Sequence, residues 1–195
     1  MTRLDTTPVA HPLRCRRALW FAVACAAWLQ VSSPAVAAVD LSEYTDIGMA
    51  DVLLTAATIR QSGTDHRAMI DQTTDIGGTG NIAQIDQDGD THIAFVTQVG
   101  DLNRARVVQS ESNNQAYVTQ TGIGNSIDIS QTGSGNWLSA QQVGNGNVAN
   151  VAMYGESRIS IAQIGDNNTI NFSPPGTGLT VNIAIIGNGS TVTQR

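Results

Sequence analysis

Two features of the sequence have side chains that a metal site would need. Residues 86–90 (DQDGD) alternate acidic residues as calcium loops do, but Gly89 lies at the fourth place and Thr97 stands where an EF-hand has its closing Glu. His66 and His92 are isolated from other ligand types. We interpret the acidic run as a charged turn that slows premature aggregation, and the two His as replacements for an Asn that recurs at a fixed spacing. We therefore predict no metal site and no cofactor.

Catalysis and nucleic-acid binding are also disfavoured. No combination of Ser, His and Asp and no pair of carboxylates recurs at one inward-facing place, so we predict that the protein is not an enzyme and has no small-molecule substrate. The 195 residues have a net charge of −6 and a pI of about 4.8, and Lys is absent. An acidic surface repels a phosphate backbone, which argues against nucleic acid as a partner.

The chemistry that the sequence does repeat is that of side-chain amides. The phrase NQAYVTQTGIG at 114–124 is followed by NSIDISQTGSG at 125–135, and eleven-residue units of this kind run from residue 55 to the C-terminus. The seventh position is Gln in nine units, namely Gln61, Gln72, Gln87, Gln98, Gln109, Gln120, Gln131, Gln142 and Gln163. The first position is Asn in seven units, namely Asn81, Asn103, Asn114, Asn125, Asn136, Asn147 and Asn168.

These amides must be positioned by strands. The third and fifth positions are apolar in every unit, from Ala57 and Ile59 to Val181 and Ile183, whereas the even positions share no character. Because a period of two alternates between faces, each unit is a strand with its odd positions inward, and a Gly at the ninth position marks a turn. We predict an all-β fold, a β-solenoid of stacked strand-turn-strand coils built from 11-residue half-repeats. Six coils at about 4.8 Å per layer would span roughly 29 Å.

Stacking of such coils would place identical side chains on one another. Gln over Gln and Asn over Asn would form amide ladders along the stack. A coil cannot stand alone, because its few inward aliphatic side chains do not offset the entropy of ordering about 22 residues. The two ends of the stack are therefore open strand edges, which ordinary proteins cap or charge.

The N-terminal segment, residues 1–37, has the features of a signal peptide. RCRR at 14–17 precedes the apolar run 18–31, and the AVA before Ala38 predicts cleavage between Ala37 and Ala38. A membrane anchor is the alternative, but the apolar run is short for a bilayer. Both cysteines lie in the segment to be removed, so the mature chain would have neither a disulfide nor a thiolate-bound metal.

The phrase N-x-A-x-V-x-Q-x-G, as at residues 114–122, resembles the curlin repeat of bacterial curli fibres, and the resemblance extends from about residue 55 to the C-terminus. The ending VTQR at 192–195 and the interrupted Gln column are most similar to the minor, nucleating subunit. The family resemblance implies a functional extracellular amyloid that is exported through an outer-membrane channel with accessory proteins. It also implies that residues 38–54 target the chain for secretion, and that residues 55–195 form the curlin-repeat solenoid.

Two features depart from the family pattern. Pro174 lies where Gln belongs and is followed by a second Pro, and Arg195 is the one basic residue of the last repeats. Proline removes a donor from the strand ladder. A shortage of basic residues at this end argues against surface anchoring through it.

The leading interpretation is therefore a structural subunit of a curli fibre, secreted to the bacterial surface, whose partners are the major curlin subunit and further copies of itself. Within that interpretation we favour the minor, nucleating subunit, and the major subunit is the alternative. A soluble β-solenoid that binds ice or a glycan would need a regular outward row, and the sixth position, from Arg60 to Ala184, is irregular. A β-helix enzyme acting on polysaccharide would need side loops for which eleven-residue units leave no room.

Overall fold

The alternation of apolar and polar residues produces strands throughout the repeats. The computed structural model describes residues 26–32, 55–74 and 78–195. No helix occurs in those residues, and so none that is long and apolar enough to cross a membrane. The strands are β1 (Ala26–Ser32), β2 (Ala56–Thr64), β3 (Arg67–Thr73), β4 (Ile82–Asp90), β5 (Ile93–Asp101), β6 (Arg104–Ser112), β7 (Gln115–Ile123), β8 (Ser126–Thr132), β9 (Trp137–Val143), β10 (Val148–Tyr154), β11 (Arg158–Ile164), β12 (Thr169–Phe172), β13 (Thr180–Ile186) and β14 (Thr191–Gln194).

The strands form two parallel sheets. Sheet A has the order β1-β2-β4-β6-β8-β10-β12-β14, and sheet B has the order β3-β5-β7-β9-β11-β13. From β2 onward, consecutive strands alternate between the two sheets, so each pair of strands makes one coil. The result is a β-solenoid of about six turns, which confirms the predicted fold class.

The register within each sheet follows the repeat. In sheet B, Ala94 pairs with Ala116, and the next odd positions of β5 and β7 pair in the same way. The offset of 22 residues becomes 26 where Ala56 pairs with Ile82, because four extra residues precede the unit of β4. It becomes 21 between β9 and β11, because one residue is missing before Ser157. Equivalent positions of every unit therefore stay aligned along the stack.

The core lies between the two sheets and consists mainly of the third and fifth positions. Val118 is 2% exposed, whereas its neighbour Thr119 is exposed to solvent. The same alternation continues through the stack. The buried apolar residues are Ala83, Ile85, Ala94, Val96, Ala105, Val107, Ala116, Val118, Ile127, Ile129, Leu138, Ala140, Ala149, Val151, Met153, Ile159, Ile161, Ile170, Phe172 and Ile185.

Most corners of the coils have left-handed backbone at the ninth position. Gly100 has a φ of 104°, and a Cβ there would lie 2.2 Å from the carbonyl oxygen of Gly122 in the next coil. Glu111 occupies the same position with a φ of 78°, at a corner where the pairing of β6 with β8 has already ended at Gln109.

One sequence expectation about a turn is wrong. Residues 86–90 were expected to form a charged turn, but they form the end of β4. The chain turns one residue later, at Thr91, which has a φ of 59°. The alternation of inward and outward side chains in β4 continues through Gln87, and this ladder position keeps the acidic stretch in the strand.

Strand β1 lies in the segment that the sequence predicts to be a signal peptide. It pairs with β2 as the outermost strand of sheet A, with Ala26 opposite Ala56 and Ser32 opposite Ser62. The predicted cleavage site at Ala37 and Ala38, and the predicted targeting segment 38–54, lie outside the described residues. The domain boundaries therefore stay predictions.

Candidate functional site

The Gln column of sheet B forms a continuous row of side-chain hydrogen bonds. Gln72 donates from Nε2 to Oε1 of Gln98 across 2.7 Å, and Gln98 donates in the same way to Gln120, also across 2.7 Å. Gln120 donates to Gln142, and Gln142 to Gln163, each across 2.8 Å. All but Gln72 are fully buried. In-register parallel strands bring the same amide to the same place in each layer, so one contact repeats along the stack.

Sheet A has a matching row that ends earlier. Gln61 donates to Gln87 across 2.7 Å, Gln87 to Gln109 across 2.8 Å, and Gln109 to Gln131 across 2.7 Å. The amide of Gln131 then faces Sδ of Met153 at 3.6 Å. A thioether is a weak acceptor, so the row of Gln–Gln hydrogen bonds in sheet A ends at Gln131.

Each Gln side chain also connects the two sheets. Besides its contact along the row, Gln98 Nε2 donates to the backbone carbonyl of Ile82 across 3.1 Å, and Gln142 Nε2 donates to that of Ser126 across 3.0 Å. Both amide N–H groups of Gln98 and of Gln142 are therefore satisfied, one along the stack and one across it. This matters because a buried donor without a partner is costly.

The Asn column holds the corners of the coils. Asn103 donates from Nδ2 to Oδ1 of Asn81 across 3.0 Å and to the carbonyl of Gly122 across 2.8 Å. Its own Oδ1 accepts the backbone N–H and the side-chain N–H of Asn125, across 3.1 and 3.0 Å. The row of sheet A continues through Asn147 and Asn168, and the row of sheet B contains Asn114 and Asn136. All seven are buried.

His66 and His92 lie where this Asn row would continue in sheet B. Their rings stack with centroids 5.2 Å apart and planes 8° apart. Nδ1 of His92 accepts the backbone N–H of Asn114 at 3.3 Å, so its Nε2 carries the proton and donates to the carbonyl of Asp88 at 3.1 Å. Burial lowers the pKa of His92, and the positive charge that His66 can carry lowers it further, against the raising effects of Asp88 and Asp90. A neutral His thus makes the contacts that Asn makes elsewhere.

The rows leave the two ends of the stack chemically different. At the C-terminal end, Pro174 and Ile185 occupy the seventh position, so Gln163 is the last Gln in either row. At the N-terminal end, Oε1 of Gln72 is buried and has no hydrogen-bond partner among the residues that the structure describes. The stack therefore begins with an unused acceptor and ends on apolar side chains.

The outward side chains of sheet B contain a row that the eleven-residue columns did not reveal. The guanidinium of Arg67 lies 5.2 Å from the ring centre of Phe95, and Phe95 and Tyr117 are 5.7 Å apart. Tyr117 and Trp137 are 6.3 Å apart, and the guanidinium of Arg158 lies 4.6 Å from the Trp137 ring. Phe95 and Tyr117 are paired in register, but Trp137 lies opposite Gln115, so the row crosses the strands diagonally and has no fixed spacing in the sequence.

The outward face of sheet A carries charged pairs instead. Arg106 lies 3.3 Å from Asp128, and Arg60 lies 3.8 Å from Asp86. Arg104 is exposed beside them, which places both arginines of β6 outward. Among the described residues, no group of three or more His, Cys, Asp or Glu side chains is gathered in one place. The side-chain rows and the open ends of the stack are therefore the features that can carry a function.

Comparison with known proteins gives one match. Residues 78–110 and 103–133 match the family model of the curlin associated repeat. The matched part spans β4 to β8, where both Gln rows are unbroken. Neither a curated protein nor a solved structure is significantly similar to the chain.

Proposed function

We propose that this chain, which carries curlin associated repeats at residues 78–133, is a structural subunit of an extracellular curli-type amyloid fibre. The observation that carries the proposal is the in-register stacking of identical inward side chains between two open ends. A chain that adds to either end can extend the same backbone ladder that joins neighbouring strands within one molecule. Growth of this kind needs no catalytic group and no cofactor.

The exposed ends of the stack support this role. In β14 all four residues are exposed, and β13 buries none of its residues except Ile185. Unpaired edges of this kind normally carry charges or a covering element. No Lys, Arg, Asp or Glu occurs in β13 or β14, so nothing in these two strands opposes pairing with a further chain.

Within the fibre, we assign the chain the role of the minor, nucleating subunit. The row of sheet B begins with the free acceptor Gln72 Oε1, but the C-terminal units offer Pro174 and Ile185 rather than a Gln donor. The last units of this chain offer no Gln side chain that could continue the row onto Gln72 of a further copy. A major subunit that keeps Gln in its last coil could supply it, which favours a junction between different subunits. The major subunit is the alternative identity for this chain.

Secretion and partners follow from the same proposal. The chain would leave the cell by way of the signal peptide 1–37 and the targeting segment 38–54, through the outer-membrane channel of curli secretion and its accessory proteins. It would then assemble at the bacterial surface with the major subunit and with further copies of itself.

A matched pair of variants tests the fibre assignment. Val118→Asp buries a charge among the inward side chains, whereas Thr119→Asp places the same charge on the solvent face one residue later. With purified residues 38–195, we expect Val118→Asp to slow thioflavin-positive assembly at least about tenfold, since a few kcal/mol are at stake. Thr119→Asp should assemble at nearly the rate of the parent chain. Equal effects from the two variants would contradict the assignment of inward and outward faces.

A seeding experiment tests the nucleating role. A few parts per hundred of this chain are added to monomeric major subunit from the same source, and the lag before thioflavin fluorescence is measured. We expect a shorter lag, and much less shortening by the Val118→Asp variant. An unchanged lag, together with abundant fibres from this chain alone, would identify it as the major subunit.

A further inference from the structure

We infer that successive copies in the fibre are related by a half-turn about the fibre axis, so that sheet A of one copy continues as sheet B of the next. The inference rests on the proposed function, because it concerns how one copy follows another in a fibre. The surfaces that meet are β13 and β14 of one copy and β2 and β3 of the next.

The inference starts from the number of strands. Without residues 1–37, sheet A of the described chain has seven strands, β2 to β14, and sheet B has six, β3 to β13. From β2 to β14 the described chain changes sheets at every corner, so this part begins and ends in sheet A. An even number of strands would have ended in sheet B.

The next free place along the winding path is therefore in sheet B, on β13. If β2 of the following copy takes that place, its β3 falls on β14, and the alternation between sheets continues without a break. A half-turn is the rotation that brings sheet A into the position of sheet B. It also preserves parallel pairing, because the strands of the two sheets run in opposite directions: Gln72, near the end of β3, donates to the carbonyl of Ala56, at the start of β2.

A copy added without rotation would leave a gap. Its β2 would pair with β14, and its β3 would then lie two layers above β13. One strand would be missing from sheet B at every junction, and the backbone N–H and C=O groups that face the gap from β13 and from the next β3 would lack partners. Buried backbone groups in native structures are almost always paired, so the rotated junction is strongly favoured.

The side chains permit the exchange of sheets. Both sheets place apolar residues at the third and fifth positions of their complete units, so Ala57 and Ile59 of β2 would lie on Val181 and Ile183 of β13. On the other side, Ala68 of β3 would lie on Val192, and Ile70 would lie on Gln194, which takes the fifth position of β14. The inward columns of the two sheets are interchangeable for this reason, whereas the outward faces are not. The aromatic row of sheet B would therefore appear on opposite sides of the fibre in successive copies.

In the precursor, β1 occupies the edge of β2 that this junction needs. Pairing of β2 with β13 of the preceding copy thus requires that residues 26–32 leave the edge, which the predicted removal of residues 1–37 would achieve. The junction is accordingly a property of the mature chain.

Helical reconstruction of fibres of residues 38–195 by electron cryomicroscopy tests the inference. We expect one copy per six and a half layers, or about 31 Å, with a rotation close to 180° between copies. One copy per seven layers, or about 34 Å, with a rotation near zero would overturn it while leaving the fibre assignment intact. Absence of any fibre would instead refute the proposed function.

Two deletions provide a matched control. Removal of residues 136–146, one half-repeat, leaves an even number of strands and should give about 29 Å per copy with no half-turn. Removal of residues 125–146, a whole coil, keeps the number odd and should give about 26 Å per copy with the half-turn retained. The same rotation in both deletion variants would contradict the dependence on strand number.

Discussion

Gln120 donates a side-chain N–H to Oε1 of Gln142 across 2.8 Å, and both side chains are completely buried. Gln142 in turn donates to Gln163 along the row and to the carbonyl of Ser126 across the core. Every hydrogen-bonding atom of the Gln142 amide is therefore satisfied by the protein. Rows of this kind hold the coils in register, because a shift by one residue would leave several buried amides without partners.

Replacement of Gln142 by Leu should weaken the assembled state. Gln142→Leu leaves the Gln120 donor and the Gln163 acceptor without their partner, and we expect a loss of about 1–3 kcal/mol. Gln141→Leu, on the exposed face beside it, should change the stability by less than about 0.5 kcal/mol. Guanidinium dissociation of assembled fibres measures both. A loss from Gln141→Leu as large as that from Gln142→Leu would argue against the role of the row.

Acidification should loosen the N-terminal coils. Burial and the nearby His66 lower the pKa of His92 below its ordinary value of 6.5, whereas Asp88 and Asp90 oppose the shift. A base whose folded pKa is depressed contributes stability that is present above pH 6.5 and is lost as the pH falls through the lower, folded pKa. His92 should therefore leave the guanidinium midpoint of unfolding unchanged above pH 6.5 and should lower it as the pH falls below 6.5.

His92→Asn is the control for this pH dependence. Asn occupies the same position in the units of sheet B that begin at Asn114 and Asn136. Oδ1 of Asn114 accepts the backbone N–H of Asn136 in the next coil, and an amide does not titrate. The variant should keep the stability of the parent at pH 7.5 and should lose less of it at pH 5.5. An identical pH profile in parent and variant would show that His92 is not the titrating group.

Two glycines should differ sharply in their tolerance of a methyl group. At Gly100 a Cβ would overlap the carbonyl oxygen of Gly122, 2.2 Å away, whereas at Gly124 nothing lies within 4 Å. Both have positive φ. Gly124→Ala should cost about 1–2 kcal/mol, the usual penalty for left-handed backbone. Gly100→Ala should cost clearly more, or prevent assembly, and equal midpoints in guanidinium would show that adjacent coils are not in close contact there.

The inward half of the structure could be predicted from the sequence because each of its positions has one chemical requirement. The position of Val118 must be apolar and that of Gln120 must donate along the stack, so both recur at a fixed spacing. The outward face has no such requirement. Tyr117 contacts Trp137, which lies opposite Gln115 in the paired strand, so this contact has no period in the sequence.

The left-handed backbone at the eleventh position was equally hard to predict. Thr91, Leu102 and Asn113 have φ values of 56–59° there, although Gly would be the expected residue. The turn between the two sheets imposes the left-handed conformation on these residues, and their types do not indicate it. The prediction of a turn at residues 86–90 was wrong because it also relied on the local sequence. Pairing with β2 and β6 keeps these residues in β4.

The segment around Pro174 should be the weakest part of the stack. β12 ends at Phe172 and has four residues, whereas β4 to β7 have nine each. Proline cannot donate to the ladder, so residues 173–178 have few backbone contacts to hold them. Limited proteolysis of assembled material should cut within residues 172–178 before it cuts within 81–146. Uniform resistance of the two regions would contradict this expectation.

X-ray fibre diffraction of residues 38–195, combined with sedimentation, tests the central claim most directly. If the open ends of the stack pair with further copies, the protein should pellet as fibres and give a meridional reflection at about 4.8 Å from strands perpendicular to the fibre axis. A chain that stays monomeric and folded at every concentration, with no such reflection, would contradict the claim that the coils of one molecule continue into the next.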